Sequence, residues 1–411
     1  MEFVLINAAL YIALLLWYWR KHHIIDCGFL LIGVWAFVAI MGVLLFMSEP
    51  YTWALTLQPF LFLFIAFLLF GRMYIFPIKN FDVDIESFIF KKNNIFDALC
   101  IIFIICAFIN LVTMDFNMSA LTDTEGVADE LYDKALDDSS KKGYSNIIER
   151  FTMNYTSWFG TAALIGMFSA MCQKRRSLAI LLAVAIYVPG FLSAVMRGSR
   201  SMIFSFIMMF IACYLFYKKY IPKSTKKTIF QIAIFGGFFV VLYLVGVTIA
   251  RFGRGGDAGD SLLSYFGQSM LNYNFGLADS FDGTYHGART FKNVLGWVGI
   301  TIPDIPPDVL FGTHFGSNFV TFIGMLLLDF NYTGTIIIAI ILPWIIRKLC
   351  FNKSAFSIAK LYLYLFFLNR LIFGVFVNGS GADFPYIVAF LFYFLFMFLF
   401  RSNISKKNSM T

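Results

Sequence analysis

GFLLIGVWAFVAIMGVLLFM, residues 28–47, runs for twenty residues without a charged side chain or a proline. A helix rises about 1.5 Å per residue, so such a run matches the ~30 Å hydrocarbon core of a bilayer. Comparable runs recur along the chain and predict eleven membrane-spanning helices, over 2–18, 28–47, 53–70, 96–114, 154–172, 177–195, 201–217, 228–250, 317–346, 356–378 and 384–400. The expected fold is all-α, a polytopic helical bundle forming a single transmembrane domain over 1–411.

Composition supports this reading. The 411 residues are 60% hydrophobic, 19% aromatic and only 14% charged, whereas a soluble domain is charged at about a quarter of its positions. The net charge of +8 would suit nucleic acid, but the placement of the basic residues excludes that partner. Twenty of the thirty-two Lys and Arg fall in short segments on one side of the spans, such as Arg20/Lys21, Lys174/Arg175/Arg176 and Lys218 to Lys227. Ten are spread over the much longer segments of the other side. By the positive-inside rule the first side is cytoplasmic, with the N-terminus outside and the C-terminus inside. The run Glu2 to Tyr18 lacks a small-residue cleavage site, so it reads as a retained helix. All six cysteines fall in or beside spans, which implies no disulfide framework.

Two outside segments exceed simple connectors. Residues 115–153, the first large outer loop, carry nine acids against four bases, with a surface helix expected over 128–148. Residues 251–315, the second, are rich in Gly, Tyr, Asp and Asn. Connections longer than about fifteen residues are usually functional or disordered, and the aromatic content of the second argues for order. Its apolar stretch Asn293 to Ile302 is too short to span and reads as an interfacial or re-entrant helix. The ninth span is interrupted by Asp329-Phe-Asn331-Tyr-Thr-Gly334. Two full helices there would put Arg347 and Lys348 outside, so a single broken or tilted element is expected.

Candidate chemistry concentrates in arginines on the outer side. Arg197 and Arg200 lie in the turn between the sixth and seventh spans, Arg251 and Arg254 follow the eighth, and Arg289 sits later in the same loop. Arg370 lies within the tenth span, where an arginine costs at least ~2.5 kcal/mol and normally faces a partner or a wet cavity. Guanidinium groups grip phosphate oxygens bidentately and stay charged, so this set suits a diphosphate. Plainer readings stand beside it: Arg197 and Arg200 snorkelling to headgroups, Arg251 and Arg254 capping a helix end, Arg370 pairing with Asp329. His286 and His314, the two outside histidines, are candidate general bases or simply solvated. Asp329, an acid deep in a helix, is catalytic or a partner for arginine. No acidic ligand cluster or nucleotide-binding motif is found, so no metal and no cofactor are expected.

The stretches Met196-Arg-Gly-Ser-Arg-Ser-Met202, the Arg- and Gly-rich entry at Arg251-Phe-Gly-Arg254, and Gly316-Ser-Asn-Phe-Val-Thr-Phe-Ile-Gly-Met325 running into Leu328-Asp-Phe-Asn-Tyr-Thr-Gly334 carry a resemblance. With two large outer loops, the arrangement resembles Wzy-type O-antigen and capsule repeat-unit polymerases over nearly the whole chain. The arginine–ten residues–glycine pattern of some members is not found in the two loops; Arg370 and Gly381 have that spacing but lie at a helix and its outer end. The resemblance implies glycosyl transfer between two undecaprenyl-diphosphate-linked oligosaccharides at the outer face of the membrane. Arg197, Arg200, Arg251, Arg254, Arg289 and Arg370 would hold diphosphate, while His286, His314 and Asp329 are the candidate catalytic groups. Partners would be the lipid-linked oligosaccharide, membrane lipid, a chain-length regulator and a flippase. A flippase or other transporter for the same lipid-linked sugar, and an O-antigen ligase, are the alternatives.

The orientation is testable by single-cysteine labelling in a cysteine-free background. An impermeant thiol reagent applied to intact cells should label Asp133→Cys and Asp282→Cys and spare Lys223→Cys; the reverse pattern would sink the topology.

Overall fold

The computed structural model describes residues 1–48, 55–76, 93–113, 147–196, 200–231, 258–279, 286–300, 321–351, 357–376 and 383–400. Among them all regular structure is helical, with no strand. The helices are α1 (Glu2–His22), α2 (Cys27–Ser48), α3 (Leu57–Ile75), α4 (Asn94–Thr113), α5 (Ile147–Cys172), α6 (Arg176–Met196), α7 (Arg200–Tyr217), α8 (Ala258–Asp279), α9 (Lys292–Trp297), α10 (Phe322–Cys350), α11 (Ile358–Phe373) and α12 (Asp383–Leu399). Residues 223–231 form a further short helical run.

Six of these helices, α1, α2, α3, α4, α6 and α10, are long and apolar enough to cross a membrane. Eleven were expected. The expected eighth span, 228–250, lies mostly outside the described residues, as does most of the first outer loop. Residues 147–153, read as the end of that loop, instead begin α5.

The chain divides into two compact units, with α11 and α12 contributing to both. In the unit holding α1 to α3, α8 and α10, the α1–α2 corner is set by Asp26. Its carboxylate accepts from the Gly28 and Phe29 amides, both at 3.0 Å, and from the Tyr18 hydroxyl at 2.8 Å. An acid at a helix start satisfies orphan N–H groups and complements the helix dipole. The aromatic centre is Tyr11, Trp35 and Phe67, with Trp35 and Phe67 ring centroids 4.5 Å apart. The Trp35 indole N–H donates to the Leu371 carbonyl at 3.0 Å.

In the other unit Asn93 caps α4, its side-chain oxygen accepting from the amides of Ile95 and Phe96 at 3.1 and 3.2 Å. Arg175, at the α5–α6 turn, grips Asp97 through two contacts of 2.7 and 2.8 Å. All six cysteines are buried free thiols.

Helix α8 differs from the sequence reading, which placed 258–279 in an outer loop. It packs into the first unit with Gln268, Ser269, Asn272 and Asn274 buried. Asn274 exchanges bonds with both the amide and the carbonyl of Thr56, at 3.0 and 2.6 Å. Hydropathy hides this helix because several of its inward positions are polar. Its crossing with α2 is close: a Cβ on Gly267 would stand 2.5 Å from the Met41 carbonyl oxygen and 3.0 Å from the Gly42 nitrogen. Backbone contact of this kind demands glycine and drives helix association in membranes.

Gly267→Ala should therefore destabilise the protein by roughly 1–3 kcal/mol through overpacking, seen as a lower unfolding temperature of the purified protein. Gly160→Ala, where a Cβ meets nothing within 4 Å, is the control. Equal behaviour of the two variants would refute the tight crossing.

Candidate functional site

Helix α10 is two helical pieces joined at Asn331, whose φ of 59° and ψ of 179° leave the helical region. The expected single broken element is what the chain forms. Such a conformation is strained in any residue other than glycine and persists only where its surroundings hold it. Here the Asn331 side-chain oxygen accepts from the next amide, that of Tyr332, at 2.6 Å.

The break frees the main-chain carbonyl of Asp329, which in a continuous helix would accept from residue 333. The amide of Gly287 donates to it instead, at 3.0 Å. Gly287 has φ of 86°, and a Cβ there would sit 2.8 Å from the Phe330 ring. Only glycine fits.

The Asp329 side chain, 1% exposed, holds the same turn. One carboxylate oxygen accepts from the Arg289 amide at 3.3 Å; the other accepts from the Thr290 amide at 2.6 Å and from the Thr290 hydroxyl. A second buried acid continues the clamp. Asp383, at the start of α12, donates its own amide to the Thr290 carbonyl at 3.1 Å. Its carboxylate accepts from the Asn293 side chain and the Val294 amide, both at 2.8 Å. Residues 286–300 are thus a turn and one short helix fastened to two carboxylates. Hydrogen bonds to a charged group contribute about 1.5–3 kcal/mol each.

Two of the candidate arginines have described side chains. Arg289 extends along α10, one guanidinium nitrogen 3.9 Å from the Met325 sulfur. Arg370 was read as lying inside a span ending at 378, but α11 ends at Phe373 and Arg370 is exposed in its last turn. The cause is Gly374. Its amide closes on the Arg370 carbonyl at 2.8 Å, its carbonyl accepts from the Phe322 amide at 2.7 Å, and the Phe322 ring fills the space of a Cβ. The Arg370 guanidinium lies over the Phe366 ring, 5.3 Å from its centroid. Arg289 therefore lies against the first turn of α10, whose N-terminal dipole also favours an anion, while the Arg370 side chain lies over Phe366 of its own helix.

The remaining candidates divide plainly. His286 is exposed at the edge of the clamped turn, with φ of 46°. Arg200 begins α7, and its side chain is not described. Arg197, Arg251, Arg254 and His314 lie outside the described residues. Pairing of Arg370 with Asp329 does not occur: among the described residues the Asp329 carboxylate is taken by amides and a hydroxyl. Asp383, Thr290 and Asn293 escaped the sequence reading, although an acid opening an apolar run is an N-cap signal. Lys360, fully buried on α11, escaped it too. No three His, Cys, Asp or Glu side chains gather to hold a metal among the described residues.

Comparison of the chain with protein-family models, with curated proteins and with solved structures found no match.

Asp383→Ala should release the turn while leaving the spans folded. Loss of about 1.4 kcal/mol or more corresponds to at least ~10-fold faster amide hydrogen exchange, expected at Thr290 to Val298 with α2 unchanged. Unaltered exchange in that segment would show that Asp383 does not hold it.

Proposed function

We propose that this protein polymerises undecaprenyl-diphosphate-linked oligosaccharide repeat units into surface polysaccharide, O-antigen or capsule, at the outer face of the bacterial inner membrane. The observation that carries the reading is Arg289, set against the first turn of α10 beside a turn pinned by Asp329 and Asp383, with Arg370 exposed in the last turn of α11. The chain would cross the membrane about eleven times, with this region outside.

In the reaction a sugar hydroxyl of one carrier-linked repeat attacks the anomeric carbon of the growing chain. The bond from that carbon to the diphosphate oxygen breaks, and undecaprenyl diphosphate leaves with the electron pair. Charge grows on the diphosphate as the bond opens, so preorganised guanidinium groups stabilise the transition state more than the ground state. Arg289 and Arg370 are assigned that task, with Arg197, Arg200, Arg251 and Arg254 as further candidates. The hydroxyl proton passes to a base, for which His286 and His314 are the candidates. Asp329 acts on this reading by holding Arg289 and Thr290 in place. A chain-length regulator and a flippase are the expected partners.

Transport of the same lipid-linked sugar is the second reading. It is favoured by the broken α10, because discontinuous helices line transport paths. An O-antigen ligase would need the same anion site.

Deletion of the gene distinguishes the three. A polymerase leaves surface glycan carrying a single repeat, a transporter leaves repeats on the cytoplasmic leaflet, and a ligase leaves full-length polymer on its lipid carrier. Within the polymerase reading, losing one donor to developing charge costs ~2.7–4 kcal/mol, a hundredfold or more in rate. Arg370→Ala and Arg289→Ala should each abolish long chains at near-normal protein level in the membrane. Arg370→Lys should rescue poorly, because the planar fork is lost. Long chains made by both alanine variants would refute the assignment.

A further inference from the structure

The segment from Thr290 to Ile300 is held inside out. Its polar groups, the Thr290 and Asn293 side chains and the Val294 amide, face the buried carboxylates of Asp329 and Asp383. Its large apolar side chains face away: Phe291 is 47% exposed, Trp297 62%, Val298 69% and Ile300 52%. In water an amphipathic segment turns the other way, because burial of the apolar side is favoured. The clamp forbids that rotation, since it fastens both main chain and side chains between Thr290 and Val294.

The helices that hold the segment also fix its depth. Trp297 packs edge-on against Phe384 at the start of α12, with ring centroids 6.1 Å apart, and Phe291 against Phe330 at the break in α10, at 6.2 Å. From these points both helices run to the same side, where the Tyr393 hydroxyl of α12 donates to the Leu349 carbonyl of α10 at 3.1 Å. That side is a charged edge. Lys348 lies over the Trp344 ring, 3.9 Å from its centroid, and such residues collect at a membrane–water boundary. Between Tyr332 and Lys348 α10 rises about 24 Å, and α12 rises about the same from Asp383 to Leu399. A hydrocarbon core is about 30 Å thick, and tilt only shortens these rises. Neither helix is long enough to lift the segment clear of the layer.

We infer that Phe291, Trp297, Val298 and Ile300 form a lipid-contact surface, seated in the leaflet opposite Lys348. The occupant is lipid because the exposed apolar character continues along α10. Ile337, Ile341 and Trp344, each 47 to 49% exposed, form one stripe at helical spacing that leads up to the break where Phe291 is seated. An apolar face whose polar side is already engaged buries itself at the boundary between head groups and acyl chains, where an indole is also favoured. The turn carrying Arg289 is then bordered by lipid on its Phe291 side, an approach suited to an amphiphilic ligand. That consequence deepens the polymerase reading; the lipid contact itself rests only on α10 and α12 crossing a membrane.

The test uses the full-length protein in vesicles of phosphatidylethanolamine and phosphatidylglycerol. The six native cysteines are buried, so one introduced cysteine at a time takes an environment-sensitive fluorophore, at Val298→Cys, Ile300→Cys, Ile341→Cys or Ser224→Cys. Quenching is read with phospholipid bearing an acyl-chain nitroxide and with aqueous iodide. The Val298 and Ile300 labels should lose as much emission to the nitroxide as the Ile341 label does, and little to iodide. Ser224, exposed beside Lys223, should show the reverse. Iodide quenching at Val298 and Ile300 equal to that at Ser224 overturns the surface, and so does shielding from both quenchers, since protein would then cover it. Either result beside a nitroxide-quenched Ile341 label overturns the surface while the span stands; iodide quenching at Ile341 overturns both.

Discussion

A carbonyl left without a donor inside a hydrocarbon layer costs several kcal/mol, so a broken membrane helix must find its missing partners within the protein. In this chain the break at Asn331 meets that demand with the turn that begins at His286. Gly287 supplies the donor that a continuous helix would have supplied from its own next turn. The same turn brings Arg289 and Thr290 onto the Asp329 carboxylate. The discontinuity in α10 and the turn that begins at His286 are therefore one structural fact. Neither would persist alone, because the strained Asn331 needs external support and the turn has little apolar surface of its own.

Asp383 extends the same logic to α12. Its carboxylate closes on Asn293 and Val294 while its amide reaches Thr290. Two buried acids thus hold a segment whose outward residues, Trp297, Val298 and Ile300, remain 52 to 69% exposed. The polar side of the segment is spent on anchoring.

Much of this was legible before any coordinates. Apolar runs such as 28–47 announce spans by length alone, and Asp329-Phe-Asn331 inside a long run announced a break. Asp329 stood out as an acid in a hydrophobic setting. Helix α8 was not legible, because Gln268, Ser269, Asn272 and Asn274 point inward and erase the hydropathy signal that identifies a span. Arg370 was misplaced by depth, since nothing in the run from Ile358 to Phe376 reveals that Phe322 from another helix ends α11 at Gly374.

The sequence by itself determined that this chain is helical and carries runs long and apolar enough to cross a membrane, because hydrophobic length is a property of local stretches. It also marked where α10 fails, since the interruption is written in consecutive residues. Only the tertiary structure decided what completes that failure: which turn supplies the missing donor, which acid pins it, and that Arg289 stands beside it. Those partners are thirty-six or more residues away along the chain, and a hydrogen bond between such residues is chosen by packing rather than by any pattern either segment carries alone.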